Sequence, residues 1–182
     1  MTPKETTRIS KFLSLILRHK PETIDITLDK EGWVETELLI KKLNQQGVSL
    51  TVDKLKSVVE KNNKKRFSFS DDFRKIRANQ GHSIEVDLKL EEKVPPPTLY
   101  HGTIFKNLES IRKQGLLKDQ RHHVHLSADK ETALQVGMRY GKPIVLTIDS
   151  KRMHSDSFPF YQSENGVWLA DHVPLLYIQF PL

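Results

Sequence analysis

The 182-residue chain contains no cysteine. Disulfides, iron–sulfur clusters, thiolate zinc sites and cysteine nucleophiles are therefore all excluded. No apolar run approaches the roughly 18–20 residues that span a bilayer, and the opening MTPKETTR lacks an apolar signal-peptide core. A soluble, cytoplasmic protein with no membrane partner is the expectation. The phosphate loops GxGxxG and GxxxxGKS/T are missing, so neither a Rossmann nor a P-loop nucleotide site has support. HExxH and paired-acid metal patterns are missing as well, and no repeat recurs at solenoid periods.

What is present suffices for a core: 37% of residues are hydrophobic. The formal charge is +6, which permits an anionic partner. Residues 1–93 hold 19 basic and 15 acidic groups, against 10 and 8 in residues 94–182, so the excess lies toward the first half. It is densest in KNNKKRFSFSDDFRKIRANQGH, Lys61 to His82, where seven Lys/Arg face only Asp71 and Asp72. RFSFS alternates like a strand, Asp71-Asp72 is a turn signal and FRKIR reads as the returning strand. Arginines on a rigid hairpin can be aimed, and a planar guanidinium offers two parallel N–H bonds to phosphate oxygens. A solvated charged hairpin is the ordinary alternative.

Ile9, Phe12, Leu13 and Ile16 repeat at helical spacing, and Lys20-Pro21 ends that helix. A second helix is predicted over Thr36–Gln45 with Thr36 as N-cap and Gly47 beyond it, and a third over Val52–Lys61 with Val52, Leu55 and Val59 on one side. Three helices and a two-stranded wing describe a winged-helix module. SIEVDLKL, Ser83 to Leu90, alternates strictly and reads as a strand. Pro95-Pro96-Pro97 then forms a stiff joint, which sets lobes at 1–93 and 94–182. Beyond it, strands are predicted at Leu99-Tyr100, His123–Ser127, Pro143–Ile148, Val167–Ala170 and Leu175–Phe180. Helices are predicted at Phe105–Gln114 and Lys130–Tyr140, closed by Gly115 and Gly141. The second lobe is α+β with a sheet-rich core.

Several short segments carry polar chemistry. Arg18-His19 closes the first helix, either as cations on its dipole or as a phosphate ligand beside a hydrogen-bonding imidazole. RANQGHS, Arg77 to Ser83, is either a polar turn or a ligand contact around Gly81. YHGT, Tyr100 to Thr103, offers an imidazole, a bare backbone amide and a hydroxyl at the end of a strand. In RHHVHLS, Arg121 to Ser127, His123 and His125 share one strand face. Clustered histidines invite a metal, but no further well-spaced ligand accompanies them, and no metal is expected.

LRHKP, KRF, RANQGHS, LYHGT and RHHVHLS, in this order and spacing, resemble the NAD-dependent RNA 2′-phosphotransferase family, and GVWLADHVP (Gly166–Pro174) fits it too. The resemblance runs from about Ile9 to Phe180. It implies an N-terminal winged-helix RNA lobe and a C-terminal ADP-ribosyltransferase-like lobe. The implied activity moves an internal RNA 2′-phosphate, as at a tRNA splice junction, to NAD+, a consumed co-substrate. The implied course runs through a 2′-phospho-ADP-ribosylated RNA to 2′-hydroxyl RNA, nicotinamide and ADP-ribose 1″,2″-cyclic phosphate. By motif the resemblance implies catalytic roles for Arg18, His19, Arg66 and Arg121. It implies NAD contacts for His101, Gly102, Thr103, His125 and Ser127. Arg77, Gln80 and His82 fall to the RNA side, and a monomer is the expected state. Two alternatives stay open on sequence alone. One is a winged-helix regulator with a ligand-sensing second lobe. The other is an ADP-ribosyltransferase that leaves ADP-ribose on its acceptor, although the paired-glutamate motif of the arginine-modifying type is absent.

Overall fold

The computed structural model describes residues 1–62 and 64–181. Within them the chain is mixed α/β and divides into two compact units, Met1–Lys89 and Leu90–Leu182. No helix among the described residues is long and apolar enough to cross a membrane.

The first unit opens with α1, Pro3–Arg18. Its start is fixed by a capping box: Thr2 Oγ1 accepts from the Glu5 amide at 3.2 Å, and the Thr2 amide donates to the Glu5 carboxylate at 3.4 Å. Ile9, Leu13, Ile16 and Leu17 form its buried face. Pro21 ends the run and opens a 3-10 turn, Pro21–Ile24. There follow β1 (Val34–Glu35), α2 (Thr36–Gln45), α3 (Val52–Glu60), β2 (Phe67–Phe69) and β3 (Lys75–Ala78). The three strands form one antiparallel sheet in the order β1-β3-β2, with Val34 opposite Ile76 and Phe67 opposite Ala78. Leu13, Ile16, Leu17, Leu39, Leu55 and Ile76 fill the core between helices and sheet.

Three expectations for this unit need correction. Glu35, not Thr36, is the N-cap of α2, because the Thr36 hydroxyl is spent on the Phe73 carbonyl at 3.1 Å. Leu55 and Val58 are the buried pair of α3, while Val52, its first residue, is 43% exposed. Residues 83–90 form no strand. Their amides go instead to isolated carbonyls, Ser83 to Arg18 and Asp87 to Lys30, so no ladder develops. Lys89 has φ +52°, with its amide tied to the Asp87 carboxylate at 2.9 Å. Alternation at Ile84–Leu90 thus serves the burial of Val86, not strand pairing.

The second unit contains β4 (Leu99–Ile104), α4 (Leu108–Gln114), β5 (Leu116–Leu117), β6 (Val124–Leu126), α5 (Lys130–Gly137) and β7 (Pro143–Ile148). After these come α6 (Ser150–Ser155), β8 (Tyr161–Gln162), β9 (Trp168–Ala170), β10 (His172–Val173) and β11 (Ile178–Gln179). Two three-stranded antiparallel sheets, β11-β7-β4 and β6-β9-β8, carry its core, and β10 pairs with β5. Leu99, Leu126, Leu146, Ile148 and Phe160 are fully buried there. A bridge between Tyr100 and Ser127, with amide-to-carbonyl distances of 2.9 and 2.8 Å, ties β4 to the end of β6.

Sequence patterning missed α6, whose polar run KRMHS hides a helix capped by Asp149 and pinned by buried Ser150 and Met153. The segment expected as a strand from Leu175 begins as a 3-10 turn, Leu175–Tyr177, and only Ile178–Gln179 pairs, with β7. The proline joint is anchored within the second unit, since Ser150 Oγ donates to the Pro96 carbonyl at 2.6 Å and the Lys151 amide to the Pro97 carbonyl at 3.0 Å.

Candidate active site

In the first unit the RANQGHS segment is a ruler between two of the arginines. At one end the Asn79 amide donates to the Arg66 carbonyl at 2.9 Å, continuing the β2–β3 pairing by one residue. At the other end the Ser83 amide donates to the Arg18 carbonyl at 2.9 Å, and Ser83 Oγ bonds His19 Nδ1 at 2.8 Å. Four residue steps separate these anchor points, so they lie within about 14 Å of each other. The helix end carrying Arg18 and His19 and the strand start carrying Arg66 are thereby set at a short, defined span. Arg66 Nη1 also reaches Asn62 Oδ1 at 3.4 Å.

The remaining residues of that segment sit differently from one another. Arg77, opposite Ser68 in the hairpin, lays its guanidinium over the Trp33 ring at 4.4 Å from the centroid. Such stacking keeps the cation flat and partly desolvated. No local signal pairs Trp33 with Arg77 across so much intervening chain, and sequence reading missed it. Gln80 is half-buried. His82 is only 1% exposed; a Cβ placed on Gly32 would lie 3.5 Å from its Nε2, so the ring forms part of the interior next to Gly32.

In the second unit β4 carries His101, Gly102 and Thr103 in mid-strand rather than at its end, opposite Leu146, Val145 and Ile144 of β7. His101 Nδ1 lies 3.0 Å from the His125 carbonyl. A carbonyl only accepts, so Nδ1 carries the proton and donates. Burial holds the His101 imidazole below its ordinary value; the His125 carbonyl acts against this and the Arg121 charge reinforces it. Neutral His101 therefore keeps a lone pair on Nε2, an acceptor for a hydroxyl. Arg121 Nη1 stands 3.3 Å from His125 Nδ1. Guanidinium only donates, so the His125 ring accepts at Nδ1 and its proton belongs on Nε2. Residue 125 thus joins Arg121, through its ring, to His101, through its backbone.

Thr103 is buried, and Asn107 Nδ2 donates to its Oγ1 at 3.3 Å, a partner four residues on that the sequence did not announce. Ser127 is held against Tyr100 by the backbone bridge, which fixes the end of β6 beside β4. Gly102 is a packing requirement: an added Cβ would fall 1.7 Å from the Ala133 carbonyl oxygen in α5. His123 turns elsewhere, 3.8 Å from Asp171 Oδ1 and with its ring tilted 59° to that of Tyr161 at 5.5 Å between centroids. Burial, first, lowers its basicity, against the opposing charge of Asp171.

Within the first unit the Arg18 and Arg66 guanidinium groups and the His19 imidazole are donors suited to anionic oxygens. Within the second, Arg121 stands beside the oriented His125 and His101 rings and the buried Thr103 hydroxyl, groups able to hydrogen-bond sugar hydroxyls. Known proteins resemble this chain over most of its length. A chain from Burkholderia pseudomallei named a probable RNA 2′-phosphotransferase is 53% identical over 175 residues, covering 96% of this chain and 95% of that one. Bearing the same name, a Fusobacterium nucleatum protein is 55% identical over 174 residues, covering 95% of this chain and 97% of its own. A Rhodopirellula baltica protein, also so named, is 54% identical over 179 residues, covering 98% and 97% respectively. The model of the family described as RNA 2′-phosphotransferase, Tpt1 / KptA, matches residues 4–172. With a match across nearly its whole length, the chain belongs to the RNA 2′-phosphotransferase, Tpt1 / KptA family.

Proposed function

We propose that this chain transfers an internal RNA 2′-phosphate, as at a tRNA splice junction, to NAD+, releasing 2′-hydroxyl RNA, nicotinamide and ADP-ribose 1″,2″-cyclic phosphate. The observation that carries the proposal is the full-length identity, about half of all positions, to proteins named probable RNA 2′-phosphotransferases. On this reading Met1–Lys89 is the winged-helix RNA lobe, and Leu90–Leu182 is the ADP-ribosyltransferase-like NAD lobe.

A phosphomonoester carries about −1.5 to −2 charges near neutrality and is itself a nucleophile, so no strong general base is needed. Arg18, Arg66 and Arg121 donate to its oxygens and stabilise the charge that shifts among them as the phosphate is transferred. His19, with Nδ1 engaged by Ser83 Oγ, acts on the phosphate through Nε2. Arg77 and Gln80 belong to the RNA side, with His82 supporting them from the interior.

The donor set fits NAD+: neutral His101 offers Nε2 to a ribose hydroxyl, while Gly102, Thr103, His125 and Ser127 line the same strand pair. NAD+ supplies an electrophilic glycosidic carbon with nicotinamide as leaving group, and a ribose hydroxyl to close the cyclic phosphate. His101 holds that ribose by accepting its hydroxyl proton in a hydrogen bond, and the Arg121–His125 contact keeps the neighbouring imidazole from rotating away. No metal takes part in this scheme, since the guanidinium groups neutralise the phosphate.

The test is incubation with a 2′-phosphorylated oligonucleotide, with and without NAD+, followed by mass spectrometry of both products. Loss of the phosphate from RNA only with NAD+, and appearance of the cyclic phosphate, are expected. RNA that retains ADP-ribose as the end product, or NAD+ that survives unchanged, would overturn the reading.

A further inference from the structure

Two buried asparagines grip the turn that delivers Arg66. Asn62 is 7% exposed and Asn79 is 4% exposed. Asn62 Nδ2 donates to Ser10 Oγ of α1 at 2.9 Å, which fixes the orientation of the amide. Its Oδ1 then accepts from the Lys64 amide at 3.2 Å and from Arg66 Nη1 at 3.4 Å, and its carbonyl accepts from the Lys65 amide at 2.7 Å. From the other side, Asn79 Nδ2 donates to the Lys65 carbonyl at 2.8 Å while its amide holds the Arg66 carbonyl. Between these grips Lys65 has φ +40°, a left-handed backbone that a side-chain-bearing residue adopts only at a cost.

Asn79 Oδ1 is buried with no hydrogen-bond partner among the described residues, a further uncompensated cost. The two amides satisfy Ser10 Oγ, the Lys64 amide and the Lys65 carbonyl, and one of them reaches beyond the turn to the Arg66 guanidinium. Fixing a strained turn immediately before an arginine, and touching its guanidinium as well, is what an oriented phosphate ligand requires.

We propose that Asn62 and Asn79 are positioning residues that hold Arg66 in the geometry used on the phosphate, with Ser10 as the strut behind Asn62. The inference rests on the reading of Arg66 as a phosphate ligand. It commits this network to Arg66 rather than to the stability of the hairpin in general.

The test is a set of double-mutant cycles on the full chain. Single-turnover rate and KM for a 2′-phosphorylated oligonucleotide with NAD+ are measured for Asn62→Ala, Asn79→Ala and Ser10→Ala, each alone and combined with Arg66→Ala. Asn62→Ala and Asn79→Ala should each lower the rate roughly tenfold, with KM nearly unchanged, as expected within one coupled network. Ser10→Ala, which removes only a hydroxyl and should fold in any case, should cost a few-fold. Each loss should shrink to under about twofold when Arg66 is already alanine. Equal losses in both backgrounds, or no loss with Arg66 present, would overturn the proposal. Near-normal turnover of Arg66→Ala alone would instead remove its premise, and that arm identifies which of the two has failed.

Discussion

Replacing Gly102 by alanine should be among the most damaging single-methyl additions in this protein. The Cβ would lie 1.7 Å from the Ala133 carbonyl oxygen, 2.7 Å from its carbon and 2.9 Å from the Gly137 nitrogen. All three atoms are backbone of α5, so no rotamer change relieves the overlap. To restore an ordinary contact of 3.4 Å, helix and strand must part by about 1.7 Å along a densely packed seam. Overpacking ordinarily costs about 1–3 kcal/mol, and a backbone obstacle places this case near ~3 kcal/mol or above. For a chain of this size that corresponds to a fall in melting temperature of roughly 6–12 °C. Gly47→Ala is the control: its Cβ meets nothing within 4 Å, but φ is +77°. Left-handed strain alone should then cost about 1–2 kcal/mol. Differential scanning calorimetry of both variants decides the matter. A Gly102→Ala midpoint within about 2 °C of the parent, or shifted less than that of Gly47→Ala, would refute the packing argument.

Arg66→Lys should fail to restore activity, leaving turnover roughly 10²–10³-fold down, because an ammonium cannot reproduce a forked pair of N–H donors; steady-state assay of that variant beside Arg66→Ala checks it. Stability should fall on mild acidification. The folded value of His101 is lowered from 6.5, so its contribution is complete above pH 6.5 and is lost as pH drops toward and through the folded value, where the unfolded chain binds a proton first. His101→Gln should flatten denaturant midpoints between pH 7.5 and 5.5; an unchanged slope would contradict the burial of that imidazole. Truncating fully buried Leu146 to alanine should cost about 2–5 kcal/mol, read from urea unfolding, and a cost under about 1 kcal/mol would mean that the β7 core collapses around the cavity.

The helices of the first unit were legible because their apolar residues recur at helical spacing and their ends carry Thr, Pro and polar caps. The hairpin was legible from RFSFS, although its turn closes through the Ser70 hydroxyl donating to the Asp72 carboxylate and the two side chains accepting from the Lys75 and Arg74 amides, bonds that no pattern specifies. Residues 83–90 misled because alternation reports exposure of alternate side chains, whereas a strand also needs a neighbouring edge. Met153 is the one apolar side chain that α6 buries, too little for a period to be seen. For the candidate site, residue types and order were readable, but the tautomers of His101 and His125 and the seat of Arg77 on Trp33 depend on partners distant in sequence. Gly102 shows the same limit. Its bare amide suggested ligand contact, and the helix crossing behind it supplies a separate reason for glycine.

The two apolar clusters do not interleave along the polypeptide: one draws its buried members from Ile9 to Ala78, the other from Leu99 to Ile178. During synthesis, therefore, every buried side chain of the first cluster has been polymerised before the first of the second is added. At translation speeds of about 5–20 residues per second the N-terminal cluster has seconds in which to close as it leaves the ribosome. A ribosome stalled after Lys93 with enough trailing chain to clear the exit tunnel would already display a folded product, with none of the residues of the other cluster needed to complete it.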